Sequence, residues 1–467
     1  MNVRVTGGLL GSPPVFIGIA ILFRLFVVFA VGETPVLIDM EEYHELAVSV
    51  LEGRGYASDQ GPTAFRPPLY PLFISGIYAV TGSPNIHAVR IVQAILGGVE
   101  VWLLWRLASL WFGSAVAVGA SWILALYPTR LIYATFIHRE TLLGVLWLWQ
   151  VYAFYLLTHS RPRFTIYLST VLAVSLGILC NAVLLATSAV LSIFLLIGSI
   201  PRGGDTYLRR SGILSFVWLG AIIFILPWSI RNHRALGEWV WVNTKGGRAL
   251  WEGNNPGWME GRAEMEIRSE QWKAMSGMNE VESDRFAREQ AIRFIRRHPD
   301  QFAYLTWRRI MQFWKLELLP FFYYKQDFFG TLSPAILILC AIIILSPFPL
   351  LCTGAAAGLV SRWSDGHIRL IAALMSVHCL ASSVFIGGFR YHFPVIPVLA
   401  CLAVLGWKYR GAIRGRRLVV YGFLFMLLYL NFLDHIVANW NQVRALMGKG
   451  GRYEYSDTRS WMKKGIF

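Results

Sequence analysis

Long apolar runs separated by short polar connections fill most of the chain. About eleven of them approach the ~20 residues that carry a helix across a bilayer. They fall at 15–31, 86–108, 115–128, 140–158, 165–181, 182–200, 213–230, 331–351, 367–386, 391–407 and 417–433. Only Asn181 marks a turn between 165 and 200. The pattern predicts an all-α polytopic membrane protein with about 11 transmembrane helices. Two long polar stretches, 32–85 and 231–330, interrupt it. The second is too long for a simple connection and rich enough in polar and aromatic residues for a small domain. Four parts follow: an N-terminal transmembrane module over 1–230 with a first outer loop at 32–85, a small extracytoplasmic domain at 231–330, C-terminal transmembrane helices at 331–433, and a tail at 434–467.

Finer periodicity organises the polar stretches. Tyr43, Leu46, Ala47, Val50 and Leu51 recur at helical spacing, which predicts an amphipathic helix from Asp39 to Glu52 lying along the membrane surface. Glu41, Glu45 and Glu52 fall on its wet face, and Asp39 on the apolar side. Asp39 has two readings: an N-cap completed by Glu42 in a capping box, or a carboxylate aimed into a cavity. Pro67 or Pro68 suits the first turn of a helix running to Val80. Arg66 just before it would make an anion site with the free N–H groups there, or would meet lipid headgroups. Residues 280–314 read as helical, with a break at His298-Pro299.

Composition agrees with the pattern. The chain has 467 residues, 55% hydrophobic and 15% charged, against about 25% charged in soluble proteins. Mean hydropathy is +0.50. The formal charge of +16 does not imply nucleic acid, because Lys and Arg concentrate in cytoplasmic connections of membrane proteins. With the N-terminus in the cytoplasm, Arg106, Arg161, Arg163, Arg202, Arg209, Arg210, Arg362, Arg369, Lys408, Arg410, Arg414, Arg416 and Arg417 lie inside. Only Arg130, Arg139 and Arg390 occupy the short outside connections. The expected location is the plasma (inner) membrane, multi-pass, with the first run kept as a signal anchor because Arg24 interrupts it. The five cysteines lie in or beside apolar runs without a CxxC, and read as small apolar residues.

Ionisable residues then gather on one expected face. His138, Arg139 and Glu140 open the fourth run, Arg231 closes the seventh, and Arg390 and His392 open the tenth. Arg24 lies about 10 Å below the same face. Ionisable groups within spans usually face a cavity. A carboxylate there can act as general base on a hydroxyl, and Arg and His groups can neutralise a phosphate. Together they suggest group transfer from a lipid phosphate at the outer face. No HExxH, Walker A or DxD sequence occurs, so a metal-bound nucleotide sugar is not implied.

Several stretches carry a further signal: DMEEYHELA from Asp39, GRGY from Gly53, FRPPLYP from Phe65, HRETL from His138, PWSIRN from Pro227, WEGNNP from Trp251 and RYHFP from Arg390. In this order and spacing the sequence resembles the polytopic GT-C glycosyltransferases that use polyprenyl-phosphate sugars. That group includes the protein O-mannosyltransferases and the lipid A aminoarabinose transferase. The resemblance runs from about Arg24 to about Leu405. It implies an acidic catalytic base in the first outer loop, where Asp39 stands; relatives often have adjacent acidic residues there, and with Met40 following Asp39 the sharing falls to Glu41 or Glu42. It implies a donor-phosphate ligand before Pro-Pro-Leu, where Arg66 stands. Glu140 matches a second acidic position, and Arg390 and His392 match a polar cluster on the phosphate side. Where relatives carry Arg-Pro in the fifth span, this chain has Cys180-Asn181-Ala182.

The expected function is therefore inverting glycosyl transfer from a polyprenyl-phosphate sugar to an acceptor hydroxyl on a glycan, lipid or protein. Asp39, Glu42 and Glu140 are the candidate catalytic carboxylates. Arg66, Arg231, Arg390, His392, Arg139 and His138 are the candidate phosphate ligands. Tyr43, Tyr56 and Asn254 are candidates for the acceptor or lid region. No cofactor or metal is expected. A transporter or flippase of lipid-linked sugars, and an inactive assembly partner, are the alternatives.

Overall fold

In hydrocarbon, a helix satisfies its own backbone hydrogen bonds, so the apolar runs have little choice of structure. The computed structural model describes residues 9–32, 34, 39–161, 163–198, 204–256, 270–325 and 333–438. The expected tail lies almost wholly outside the described residues. The N-terminal part contains α1 (Pro13–Val31), α2 (Asp39–Leu51), α3 (Leu69–Thr81), α4 (Ile86–Phe112), α5 (Ser114–Leu126), α6 (Pro128–Tyr133), α7 (Glu140–His159), α8 (Phe164–Cys180), α9 (Val183–Ile197) and α10 (Gly204–Leu236). The middle contains α11 (Gly246–Gly253), α12 (Glu270–Met275), α13 (Glu280–Arg297), α14 (Pro299–Phe313) and α15 (Leu319–Lys325). The last part contains α16 (Pro334–Leu345), α17 (Pro347–Ser361), α18 (Gly366–Val384), α19 (Ile396–Lys408) and α20 (Arg416–Ala438). A short antiparallel hairpin, Ala57–Ser58 with Gly61–Pro62, sits between α2 and α3.

The expected α-helical membrane class is met, but the count of eleven spans is not reached by length and composition. Eight described helices are long and apolar enough to cross a membrane. The runs at 115–128, 165–181 and 182–200 form the shorter α5, α8 and α9. Asn181 ends α8 with extended backbone (φ −158°), and its side chain accepts from the Val183 N–H at 3.2 Å to start α9. The run at 331–351 continues to Ser361, because Pro347 falls at the first turn of α17 and needs no amide donor there.

Small residues let α17 and α19 approach closely. A Cβ on Gly358 would lie 2.0 Å from the Leu402 carbonyl oxygen, and one on Gly406 would lie 2.1 Å from that of Gly354. The Gly354-xxx-Gly358 spacing is the small-residue seam expected of membrane helices. Charges deeper in the bundle are paired. Arg130 Nη1 bonds Glu100 Oε1 at 2.5 Å with both side chains 1% exposed. Arg130 lies on the short α6 that connects α5 to α7, and its side chain points into the interior. Arg24 donates to the carbonyls of Ala20 at 2.9 Å and Ala125 at 3.3 Å. Its guanidinium is spent on backbone and does not join the polar cluster at the bundle end.

Candidate active site

Asp39 opens α2, and the helix turns its side chain toward the bundle, as the apolar stripe predicts. Glu41, Glu45 and Glu52 are exposed, while Tyr43, Leu46 and Ala47 are buried. Both oxygens of Asp39 are taken by guanidiniums. Arg66 Nη2 donates to Oδ1 at 2.6 Å, and Arg390 Nη1 donates to Oδ2 at 2.8 Å. Glu42, one helical turn on, accepts from Arg66 Nε. Arg66 therefore bridges two carboxylates of one helix with its two edges, a geometry a lysine has no fork to match. Burial alone would raise the Asp39 carboxyl. Arg390 and Arg66, then Lys245 and His138, outweigh it and hold the carboxyl well below its ordinary range.

The sequence fixes Arg66 locally. It ends the loop before Pro67 and Pro68, and Pro68 caps α3. The Tyr56 hydroxyl donates to the Arg66 carbonyl at 2.9 Å. The guanidinium carbon stands 5.1 Å from the Tyr43 ring centroid, and Tyr43 in turn meets Tyr70 edge-on at 5.0 Å. Tyr43 and Tyr56 thus support Arg66 from beneath and behind, and both are buried. They are not an open acceptor surface.

Around this centre stand His138, Arg139 and Glu140 at the start of α7. His138 Nε2 shares a 2.6 Å hydrogen bond with the Tyr323 hydroxyl, and its Nδ1 lies 3.9 Å from Glu140 Oε2. Burial lowers the His138 imidazole, against the opposing pull of Glu140 and Asp39. Glu140 is 7% exposed, and its Oε2 accepts no hydrogen bond among the described residues. Arg139 faces Tyr43, Glu140 and Tyr391 electrostatically. Its carbonyl accepts from the Leu143 N–H at 2.8 Å, while its guanidinium makes no hydrogen bond or ion pair among the described residues.

Three expected site residues point elsewhere. Arg231 donates to the carbonyls of Thr63, at 2.7 Å, and Tyr56, so it fastens the first loop to the end of α10. His392 is bonded at Nδ1 to the Phe313 carbonyl (2.6 Å) and at Nε2 to Glu317 (3.1 Å), in a network below the centre. Asn254 is fully buried and bonds the carbonyls of Leu250 and Val384, each at 2.8 Å. It joins the 231–330 segment to α18. Its Oδ1 accepts from Arg309 Nη2 at 2.9 Å, so it also offers no acceptor surface.

Two residues with no sequence signal belong to the neighbourhood. Tyr323 backs His138 from α15. Lys245 stands before α11, its Nζ 5.0 Å from the Phe65 ring centroid. No motif or periodicity marks either.

Residues 65–230 match the family model described as dolichyl-phosphate-mannose-protein mannosyltransferase. The match covers less than half of the chain. It includes Arg66 and His138 to Glu140, and leaves Asp39, Lys245 and Arg390 outside. It shows the resemblance to GT-C glycosyltransferases and supports glycosyl transfer as the activity. No curated protein matches the chain. Among solved structures, the chain is similar to ArnT of Cupriavidus metallidurans bound to undecaprenyl phosphate. Identity is 14%, covering 92% of this chain and 79% of that one, at a TM-score of 0.40. It is also similar to an oligosaccharyltransferase of Archaeoglobus fulgidus tethered with an acceptor peptide. Identity there is 11%, covering 97% of this chain and 59% of that one, at a TM-score of 0.49.

Proposed function

We propose that this GT-C-like chain transfers a sugar from a polyprenyl-phosphate donor to an acceptor hydroxyl, with inversion, on the extracytoplasmic side of the plasma membrane. The observation that carries this reading is the Asp39 carboxylate gripped by Arg66 and Arg390. A carboxylate is the right group to take a hydroxyl proton, and guanidiniums are the right groups to hold a departing phosphate. The acceptor oxygen attacks the anomeric carbon. The bond from that carbon to the phosphate oxygen breaks, its electron pair stays on the phosphate, and the hydroxyl proton passes to Asp39. Arg66 and Arg390 stabilise the charge that develops on the phosphate, with Arg139 as a third cation.

Clamped by two guanidiniums, Asp39 is a weak base. The donor's phosphate competes for the same guanidiniums, and their withdrawal restores the carboxylate's basicity. Donor therefore binds before the acceptor is activated. Glu140, with an oxygen lacking a hydrogen bond among the described residues, is the second carboxylate, suited to orient an acceptor hydroxyl.

The test is transfer by the purified protein from labelled polyprenyl-phosphate sugars. Asp39→Asn should lower kcat by about 10² or more while lipid-phosphate binding persists. Undiminished transfer in that variant would remove the base assignment. Donor flipping in proteoliposomes without any transfer would favour a flippase.

A further inference from the structure

The backbone around Lys245 is fastened on both sides. Trp228 and Asn232 at the end of α10 donate to the carbonyls of Val242 (2.7 Å) and Val240 (2.9 Å). The Thr244 N–H donates to the Ala64 carbonyl at 3.1 Å. Glu280 joins the same two strands of chain, accepting from the Thr63 hydroxyl, the Ala64 N–H (2.9 Å) and the Thr244 hydroxyl. On the other side, Asp284 accepts from the Gly247 N–H at 2.5 Å. Lys245 is thus held beside Phe65 and Arg66 by contacts that involve none of its own side chain.

The carboxylates near Lys245 are already taken. Asp39 is held by Arg66 and Arg390, and Glu42 by Arg66. On its own helix, Glu252 accepts from Arg248 Nε at 3.1 Å. On α13, Asp284 is held by Arg288 at 2.5 Å. The other cations facing it are Arg66 and Arg248. Its partner across the loop is the Phe65 ring, which Arg248 also approaches, at 5.7 Å. Among the described residues the Lys245 ammonium has no ion pair or hydrogen bond. A cation fixed at a polar centre without an anion calls for one from outside.

We propose that Lys245 is a further ligand of the donor's phosphate and that it makes donor capture weaken as pH rises. The proposal rests on the polyprenyl-phosphate reading above. Burial first, then the positive charge of Arg66, lower the Lys245 ammonium to about 7, against the opposing pull of Asp39, Glu252 and Glu42. A lysine with that value is half neutral near pH 7. An arriving phosphate favours the charged form. Capture is therefore accompanied by proton uptake, and is strongest below pH 7.

The test is binding of undecaprenyl methyl phosphate to the full-length protein in nanodiscs from pH 6 to pH 8.5. This diester keeps one negative charge throughout, so the ligand does not titrate. Wild type should lose affinity by about tenfold across that range. Lys245→Arg should bind with the profile flattened, because arginine stays charged. Lys245→Met should bind about tenfold more weakly at pH 6 and also lie flat. Excess phosphatidylglycerol should not displace the probe. Saturable wild-type binding with an unchanged profile in Lys245→Met would overturn the role of Lys245 alone. Equal displacement by phosphatidylglycerol would assign the lysine to a headgroup instead. Absence of saturable binding in wild type would overturn the donor reading itself.

Discussion

Asp39 accepts two charge-assisted hydrogen bonds and has no oxygen left over. Its carboxyl is depressed despite burial, by Arg390 and Arg66 above all. Its contribution to stability is therefore complete above the ordinary carboxylate value near ~4, and is lost as pH falls through the lower folded value. Arg390→Ala removes one guanidinium. The acid limb of kcat/KM should then move up by about one unit, and an unmoved limb would show that another group sets it. Arg66→Lys keeps the charge and loses the fork that reaches both Asp39 and Glu42. A fall of about tenfold or more in kcat/KM is expected from steady-state assays. Asp39 and Arg66 were legible because each sits in a motif beside a helix start. The Asp39–Arg390 contact spans 351 positions; the charge gathered on one expected face and the resemblance both pointed to Arg390, but neither made it a partner of Asp39. Arg231 and His392 misled for a physical reason. Residue type suits them to phosphate, but the fold supplies nearer partners, carbonyl oxygens for one and Glu317 for the other.

Elements were easier to read than their contacts. Helical spacing found α2, and the break at His298-Pro299 divides α13 from α14 where proline removes a donor. What spacing does not encode is how closely two elements meet. On α17, Gly358 backs directly onto the Leu402 carbonyl. Gly358→Val should lower thermal stability in detergent by about 1–3 kcal/mol, and a wild-type melting curve would contradict the close approach. Arg309 on α14 is a second such joint. It donates to the carbonyls of Gly253 and Ser383 and to Asn254. Arg309→Ala leaves these buried acceptors unpaired, at about 1–3 kcal/mol each. It should also raise the donor KM more than it lowers kcat, because the end of α11 loses one of its ties to α14 and α18.

For the whole molecule, charge asymmetry predicts the orientation, and apolar length predicts the helical membrane architecture. Five free cysteines, four buried and Cys340 half-buried, give a background for labelling single exposed cysteines. Asp59→Cys should react with a membrane-impermeant maleimide on intact cells, and Arg414→Cys only after permeabilisation. The reverse pattern would invert the topology. Helix number was harder to read, since α5, α8 and α9 pack among the long helices yet are short. At 1.5 Å per residue, the 17 residues of α8 and the 15 of α9 rise about 26 and 23 Å. A typical hydrocarbon layer is about 30 Å thick. The bilayer thins to meet helices that fall short of it. Cys180, at the end of α8, lies within electrostatic reach of Arg139 and Glu140, so thinning at α8 would fall beside the cluster. Headgroups there would lie nearer the guanidiniums, and a lipid phosphate would have less height to climb. Transfer should accordingly run faster in bilayers of 14-carbon chains than of 18-carbon chains, making membrane thickness a determinant of turnover.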